Sequence, residues 1–364
     1  MSKRKTFIPD KPSRIAMLVS GGVDSAVALD LLVRAGHDLT LFYIRIGRDD
    51  DSGDCNADEE IELCTLLAKR YSLPLRVVEL HEEYWQHVIS YALQTVREGR
   101  TPHPDMMCNK LIKFGFFEER WGRDFDYTAT GHYASVIERD GRKWLGTAVD
   151  PVKDQTDFLA RLSYRQLDHI LFPLGGYPKE EVRHIASELK LPNATRKDSQ
   201  GICFLGKIDY AEFLRRHLGE KPGAVVEIET GRKVGEHRGY WFYTIGQRKG
   251  LGLSGGPWFV VRKNLRTNTI YVSNGYDTPR QYGKTLTLAE PNWITAVPDL
   301  SEPMQIAFKN RHTPHFTKAT LSAASDGNLL VESAEPIQGI APGQFGIIYT
   351  PDREICLGSG IISD

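Results

Sequence analysis

The stretch Ser20-Gly21-Gly22-Val23-Asp24-Ser25 decides how the first half of this chain is read. It follows an apolar run of strand length, Ile15-Ala16-Met17-Leu18-Val19. It opens a second apolar run, Ala26 to Val33, which stops at Gly36, a helix C-terminal signal. The hexapeptide is therefore expected on a strand-to-helix turn. Gly21 and Gly22 let the backbone turn tightly, and the helix start then offers N–H groups and the positive end of a dipole. Such a turn is an anion site, most naturally for phosphate.

A Walker A loop needs Gly-Lys-Ser/Thr, with the lysine reaching the terminal phosphates. No lysine stands in this loop, and Asp24 takes a place near the phosphates where a cation must accompany it. The loop instead resembles the SGGxDS signature of the PP-loop ATP pyrophosphatases. That resemblance implies ATP, usually with Mg²⁺, and cleavage at the α-phosphate: a substrate oxygen is adenylated and a nucleophile then displaces AMP. The competing reading is a glycine-rich turn capped by Asp24 or Ser25, but strand, loop and helix all agree on the nucleotide site.

The length of 364 residues allows two or three domains, and 41% hydrophobic with 26% charged residues is ordinary for a soluble globular protein. No apolar run approaches the ~20 residues of a membrane span, and none follows the basic lead-in Met1 to Lys11 as a signal peptide would. Five scattered cysteines do not make a disulfide framework. A cytoplasmic protein with reduced thiols and no membrane partner is expected. The net charge of −1 argues against an indiscriminate nucleic-acid binder, so an RNA partner would have to meet a local basic patch.

Along the chain, Leu39–Ile44 and Leu75–Leu80 read as buried strands, and Glu59–Tyr71 and Glu82–Glu98 as helices. An acidic loop, Asp49 to Asp54, is expected to be mobile. Cys64 falls at helical spacing and reads as core; Cys55 has no metal-ligand partner nearby. Pro102 and Pro104 are expected to forbid a helix at 99–109, with Asp105 able to cap the one that follows. Asp126–Ala129 reads as a strand ending in Thr130-Gly131-His132, with a hairpin turning at Asp140-Gly141 after it. Alternating strands and helices predict a parallel sheet, with ligands beyond the carboxyl ends of its strands. Beyond about residue 210, short apolar runs between Gly, Pro and Asn breaks predict β-rich modules. The expected fold is α/β: a parallel-sheet PP-loop ATPase domain over 1–209, a small β-rich domain over 210–278 and a C-terminal β-barrel over 279–364.

Two cysteines stand apart. Cys108 follows the proline-stiffened stretch, with Asp105 three residues ahead, and Cys203 follows Gly201 and a basic, polar run. Both are expected in loops, where Arg196 and Lys197 would lower the pKa of a nearby thiol. With an adenylating loop in the same chain, two such cysteines suggest sulfur chemistry. Thr101-Pro-His-Pro-Asp105 with Cys108-Asn109-Lys110, Ala129-Thr-Gly-His-Tyr133, Lys153-Asp-Gln155 and Lys197-Asp-Ser-Gln-Gly-Ile-Cys203-Phe204 together resemble the tRNA-specific 2-thiouridylases. So do Tyr243-Thr-Ile-Gly-Gln-Arg-Lys-Gly-Leu-Gly252 and Pro342-Gly-Gln344, in the same order through nearly the whole chain.

The resemblance implies that Leu18, Val19, Ser20, Gly21, Gly22, Val23, Asp24 and Ser25 bind ATP, with Tyr43 and Gly131 lining the nucleotide pocket. It implies adenylation of the 2-carbonyl oxygen of the wobble uracil in tRNAs for Lys, Glu and Gln. Cys203 would carry a persulfide from a cysteine desulfurase or relay protein, Cys108 would be the second catalytic thiol, and Asp105 the acid/base beside it. His103, Pro104 and Asp105, Lys153, Asp154 and Gln155, and Arg311 and His312 match stretches that touch tRNA, and the small central domain is implied to bind it too. The chain departs from the family pattern at His103, where Asn is frequent, at Tyr243, where His is frequent, and at His312, where Tyr is frequent. No metal-ligand set is expected from the chain itself. Two rivals remain at this stage. One is a PP-loop ligase adenylating a small metabolite, which leaves both cysteines idle. The other is a tRNA-binding homologue without catalysis, which leaves the intact loop idle.

Overall fold

The computed structural model describes residues 6–47, 56–197 and 210–363. Cys55, the acidic loop and Cys203 lie outside the described residues. In the first part, strand β1 (Arg14–Leu18) leads into helix α1 (Val23–Arg34). Strand β2 (Asp38–Arg45), helix α2 (Asn56–Tyr71) and strand β3 (Leu75–Glu79) follow, and strand β4 (Tyr127–Ala129) comes after two further helical runs. These strands pair in parallel in the order β3-β2-β1-β4, and the two-residue strand Ile170–Leu171 adds beyond β4. That last strand is too short to stand out as an apolar run.

Both faces of the sheet are covered, which is why its central strands read as unbroken apolar runs. Ile15, Met17, Leu41 and Tyr43 pack with α1 and α2 on one face, and Ala16, Leu18, Phe42 and Ile44 pack on the other. Helix α1 buries Val23, Ala26, Val27, Ala28, Leu29 and Leu32. The strand order reverses between β1 and β4, so the crevice beyond their carboxyl ends is where a ligand belongs. The hexapeptide leaves β1 there and Thr130-Gly131 leaves β4 there.

The helical runs differ from expectation in one respect that matters for the site. The prolines do not forbid a helix before Cys108. Pro104 opens one at its first position, where its missing N–H costs nothing, and the His103 ring nitrogen Nδ1 accepts from Met106 N at 3.4 Å. Asp105 therefore lies inside the first turn and does not cap it. Cys108 starts a π-helical stretch, Cys108–Phe116, instead of sitting in a loop.

The β-rich part forms two sheets. Four strands order as Trp258–Asn264, Thr269–Asn274, Gly223–Glu227, Lys233–His237. Six more, Tyr282–Trp293, Leu329–Gln338, Thr317–Ala323, Met304–Lys309, Phe345–Tyr349 and Ile355–Ile362, close into a barrel because the first also pairs with the last. The hairpin Ser135–Arg139 and Arg142–Gly146 extends this barrel sheet, with Ile355 opposite Gly146 and Cys356 opposite Leu145. Ala134, Val136, Leu145 and Phe172 share one core with Ala307, Phe345, Ile347 and Tyr349. The barrel is thus built into the first domain's core. Removing residues 279–364 is expected to bare several large side chains worth roughly 1.5–3 kcal/mol each. The fragment 1–278 should then show no cooperative melt at the temperature of the full chain, a result scanning calorimetry checks.

Candidate active site

The hexapeptide turns as the glycines require. Gly21 sits at φ +67, a left-handed conformation open to glycine, and Gly22 precedes the first helical residue. The Ser25 hydroxyl donates to Gly22 O at 3.0 Å and accepts from Ser20 N at 3.3 Å, fastening the loop to the helix start. No side chain caps α1, so neither Asp24 nor Ser25 plays the capping part. Helix geometry leaves the first-turn N–H groups without intrahelical carbonyls, as an anion cradle needs. Gly131 comes in from β4: a Cβ there would lie 2.7 Å from Ser25 N, so only glycine permits this approach.

Asp24 has a cation beside it, and that cation is a lysine. Lys179 Nζ donates to both carboxylate oxygens at 2.6 and 2.8 Å, and the Tyr133 hydroxyl donates to Oδ1 at 2.8 Å. Asn193 and Glu60, which sequence reasoning missed, and Arg196, which it set beside a thiol, brace the loop from behind. Asn193 Nδ2 and Arg196 Nη1 both donate to Gly21 O, at 2.9 and 3.3 Å. Arg196 Nη2 donates to Glu60, which also accepts from the Tyr43 hydroxyl at 3.0 Å. Burial pushes the Glu60 carboxyl up, and burial followed by the Glu60 charge pushes the Tyr43 phenol up. Tyr43 is therefore tied to the loop through Glu60 and Arg196. Arg196 turns its guanidinium to Gly21 and Glu60 within this network.

A second feature is a cavity of about 610 Å³ between the three parts of the chain. His103, Pro104 and Asp105 line it from the first part, Trp241 and Tyr243 from the small sheet's region, and His312 and Gln344 from the barrel. Pro342-Gly-Gln344 holds the near wall. Thr101 N donates to Pro342 O at 2.8 Å and Gln344 Nε2 to Pro102 O at 2.8 Å, while a Cβ on Gly343 would fall 2.8 Å from Thr101 O. Phe158 lies between the two histidines, its ring 4.5 Å from that of His312 and 5.5 Å from that of His103. His312 Nδ1 bonds Asp157 Oδ2 at 2.9 Å. That bond raises the His312 pKa, whereas enclosure lowers that of His103 against the pull of Asp105 and Asp157. At neutral pH the cavity thus has a neutral imidazole on one side and one biased toward the cation on the other. All three departures from the family pattern, His103, Tyr243 and His312, line this one cavity.

The remaining sequence-nominated residues fall in different places. Asp154 is 3% exposed and spends its carboxylate on Ala148 N, Thr156 and the buried Lys309, whose Nζ lies 3.3 Å away. Gln155 exchanges hydrogen bonds with the Tyr133 backbone, tying its strip to the residue that holds Asp24. The Lys153 amide donates to Asp150. Arg311 clamps Ile245 O and Gly339 O, and Lys309 is buried, so this basic cluster is not an ordinary solvated face. Cys108 is 1% exposed among Phe42, Val88 and Ile112. His132 bonds Thr130 and is kept neutral by burial. Among the described residues no three His, Cys, Asp or Glu are placed to hold a metal, and Asp24 already accepts from Lys179 and Tyr133. The loop's first-turn N–H groups have the chemistry of a phosphate cradle, and the carboxylate beside them, Asp24, is engaged by Lys179 and Tyr133.

Family models match the chain in three consecutive pieces: a "tRNA methyl transferase HUP domain" at residues 13–207, a "tRNA methyl transferase PRC-barrel domain" at 211–274 and an "Aminomethyltransferase beta-barrel domain" at 283–362. The tRNA-specific 2-thiouridylase MnmA 1 of Bacteroides thetaiotaomicron is 57% identical over 96% of this chain and 99% of its own length. The chain belongs to the tRNA-specific 2-thiouridylase family. Within the family, the MnmA of Parabacteroides distasonis is 56% identical and that of Porphyromonas gingivalis 55% identical, each over 96% of this chain and 99% of the relative. No helix among the described residues is long and apolar enough to cross a membrane.

Proposed function

We propose that the chain is a tRNA-uridine 2-sulfurtransferase that thiolates the wobble uridine of tRNAs for Lys, Glu and Gln in the cytoplasm. The observation that carries this reading is the 57% identity over 96% of this chain and 99% of a named 2-thiouridylase. Uracil's carbonyl oxygen leaves poorly until it is a phosphate ester, and ATP supplies that ester. The hexapeptide N–H groups receive the pyrophosphate part, with Gly131 and the Tyr43 side of the sheet beside the nucleotide. Mg²⁺ enters as a counter-ion on the ATP phosphates, with no step assigned to it.

A base inside a folded anticodon loop must be splayed out before a pocket can reach it. The cavity suits such a base: Phe158, Trp241 and Tyr243 offer stacking surfaces, and Asp105 offers a carboxylate for proton transfer. Cys203 carries the persulfide, delivered by a desulfurase or relay, and Cys108 opens the S–S bond, which is a thiol–disulfide exchange. Mass spectrometry of tRNA after incubation with ATP, Mg²⁺ and a persulfide donor tests this. One oxygen exchanged for sulfur at the wobble uridine is expected. ATP turnover stimulated by a small metabolite and not by tRNA would contradict it.

Within this reading His312 meets tRNA phosphate as an imidazolium. Asp157 raises its pKa above the ordinary 6.5, while Lys309 opposes and Asp154 assists. A raised folded-state pKa means that the charge is present at low pH and lost as pH rises through the raised value. tRNA affinity should therefore fall as pH rises past that point, and Asp157→Asn should move the midpoint down. Filter binding between pH 6 and 9 checks it, and an unmoved midpoint speaks against the contact.

A further inference from the structure

The opening loop lacks the lysine that a Walker loop uses to meet terminal phosphates, yet the structure brings one to the same place from far along the chain. Lys179 is the first residue of the helix Lys179–Glu188, which packs on α1. Its backbone N–H donates to Asp150 Oδ2 at 2.9 Å, and Asp150 Oδ1 accepts from Val152 N and Lys153 N, so the stem of the side chain starts from a fixed point. The ammonium ends 2.6 Å from Asp24, in the first turn of α1, with the Tyr133 ring 5.7 Å beneath it. The pair is not an ordinary surface contact: the Lys179 side chain is 13% exposed and that of Asp24 31%. A cation at a helix N-terminus opposes the dipole. Nothing in packing requires an ammonium there, since α1 and the Lys179–Glu188 helix already meet through apolar side chains such as Val182 and Ala186.

We propose that Lys179 is a phosphate-binding residue of this loop: Asp24 and Tyr133 hold its ammonium where the β- and γ-phosphates of ATP arrive. The proposal rests on the ATP-dependent reading above. It gives Asp24 a positioning part, acting through Lys179. An ammonium is a compact charge with three donors, so it can keep its bond to Asp24 while donating to a phosphate oxygen. Because it serves the leaving pyrophosphate and not the adenosine, Lys179 should distinguish ATP from AMP.

The test compares ATP and AMP affinities, by calorimetry at fixed Mg²⁺, for the full-length chain and its variants. Lys179→Met is expected to weaken ATP by about tenfold or more, the scale of one charge-assisted phosphate contact, and AMP by less than about twofold. Lys179→Arg should retain most of the preference for ATP. Lys179→Met leaves Asp24 without its ion pair and risks the fold, so Lys179→Gln with Asp24→Asn, which removes both charges together, provides the second reading. It should show the same loss of ATP preference with a melting temperature near that of the parent. If ATP and AMP weaken by the same factor, or if neither changes, Lys179 is a brace or a bystander and the proposal falls. If the parent itself binds no ATP, the functional reading fails, which is a separate outcome.

Discussion

Replacing Cys108 by serine is expected to lower thiolated tRNA formation by on the order of 10³-fold or more when no thiol reductant is added. In the proposed reaction the transferred sulfur is bonded to the Cys203 sulfur, and that S–S bond must break for product to leave. A thiolate attacks such a bond, and a serine hydroxyl at neutral pH does not. Pyrophosphate release in the presence of tRNA should persist, because adenylation does not draw on Cys108. Serine is close to cysteine in size, but it places a hydroxyl in an apolar position, at a cost of about 1–3 kcal/mol. A melting curve with Cys108→Ala beside it separates lost chemistry from lost fold.

The same variant separates two routes. If the persulfide sulfur attacks the activated uridine directly, the variant should stall with tRNA joined to Cys203 through a disulfide that dithiothreitol cleaves. If Cys108 first releases hydrosulfide, no such adduct forms. Either way the complete enzyme ends a turnover with a Cys108–Cys203 bond, which needs Cα atoms within about 7 Å. Cys108 rests at 1% exposure at the start of its π-helical stretch, so its surroundings must open for the thiol to react.

Asp24→Asn should cut AMP formation by on the order of 10²–10³, the scale of losing one preorganised electrostatic group. The carboxylate bonds Lys179 twice and Tyr133 once, and an amide removes the charge while leaving Lys179 nearly buried without its counter-ion. tRNA affinity should hardly move, because these bonds serve the phosphate loop and not the cavity wall. AMP formation at the parent rate in a tRNA-stimulated assay would remove Asp24 from the nucleotide site.

The fold was legible where the sequence is locally consistent. Ile15–Val19, the two glycines and the buried run after them each favour the element they form, and parallel strands buried on both faces show up as plain apolar runs. Two barrel strands do not stand out as apolar runs, for equally local reasons. Thr317–Ala323 alternates Thr, Lys and Ser with small apolar residues and one leucine, and Ile355–Ile362 is broken by two glycines that let Leu288 and Asn292 approach. The pairing of the hairpin before Gly146 with Ile355 and Cys356 could not be read, because it is a contact over about two hundred residues of chain. In the site, the loop glycines and Asp24 could be read because phosphate chemistry demands them at fixed spacing. Lys179, Asn193, Glu60 and Arg196 could not, since nothing near them in sequence refers to Gly21 or Asp24. Pro104 was misread because a proline breaks a helix interior yet suits its first position.

The most direct measurement is a single turnover without reductant, using the chain persulfidated on Cys203, ATP and tRNA, followed over time by nucleoside mass spectrometry and non-reducing peptide mapping. The account predicts 2-thiouridine and a peptide pair linking Cys108 to Cys203 rising in step, both absent when ATP is omitted. Thiolated tRNA accumulating while Cys108 and Cys203 both remain thiols would contradict it.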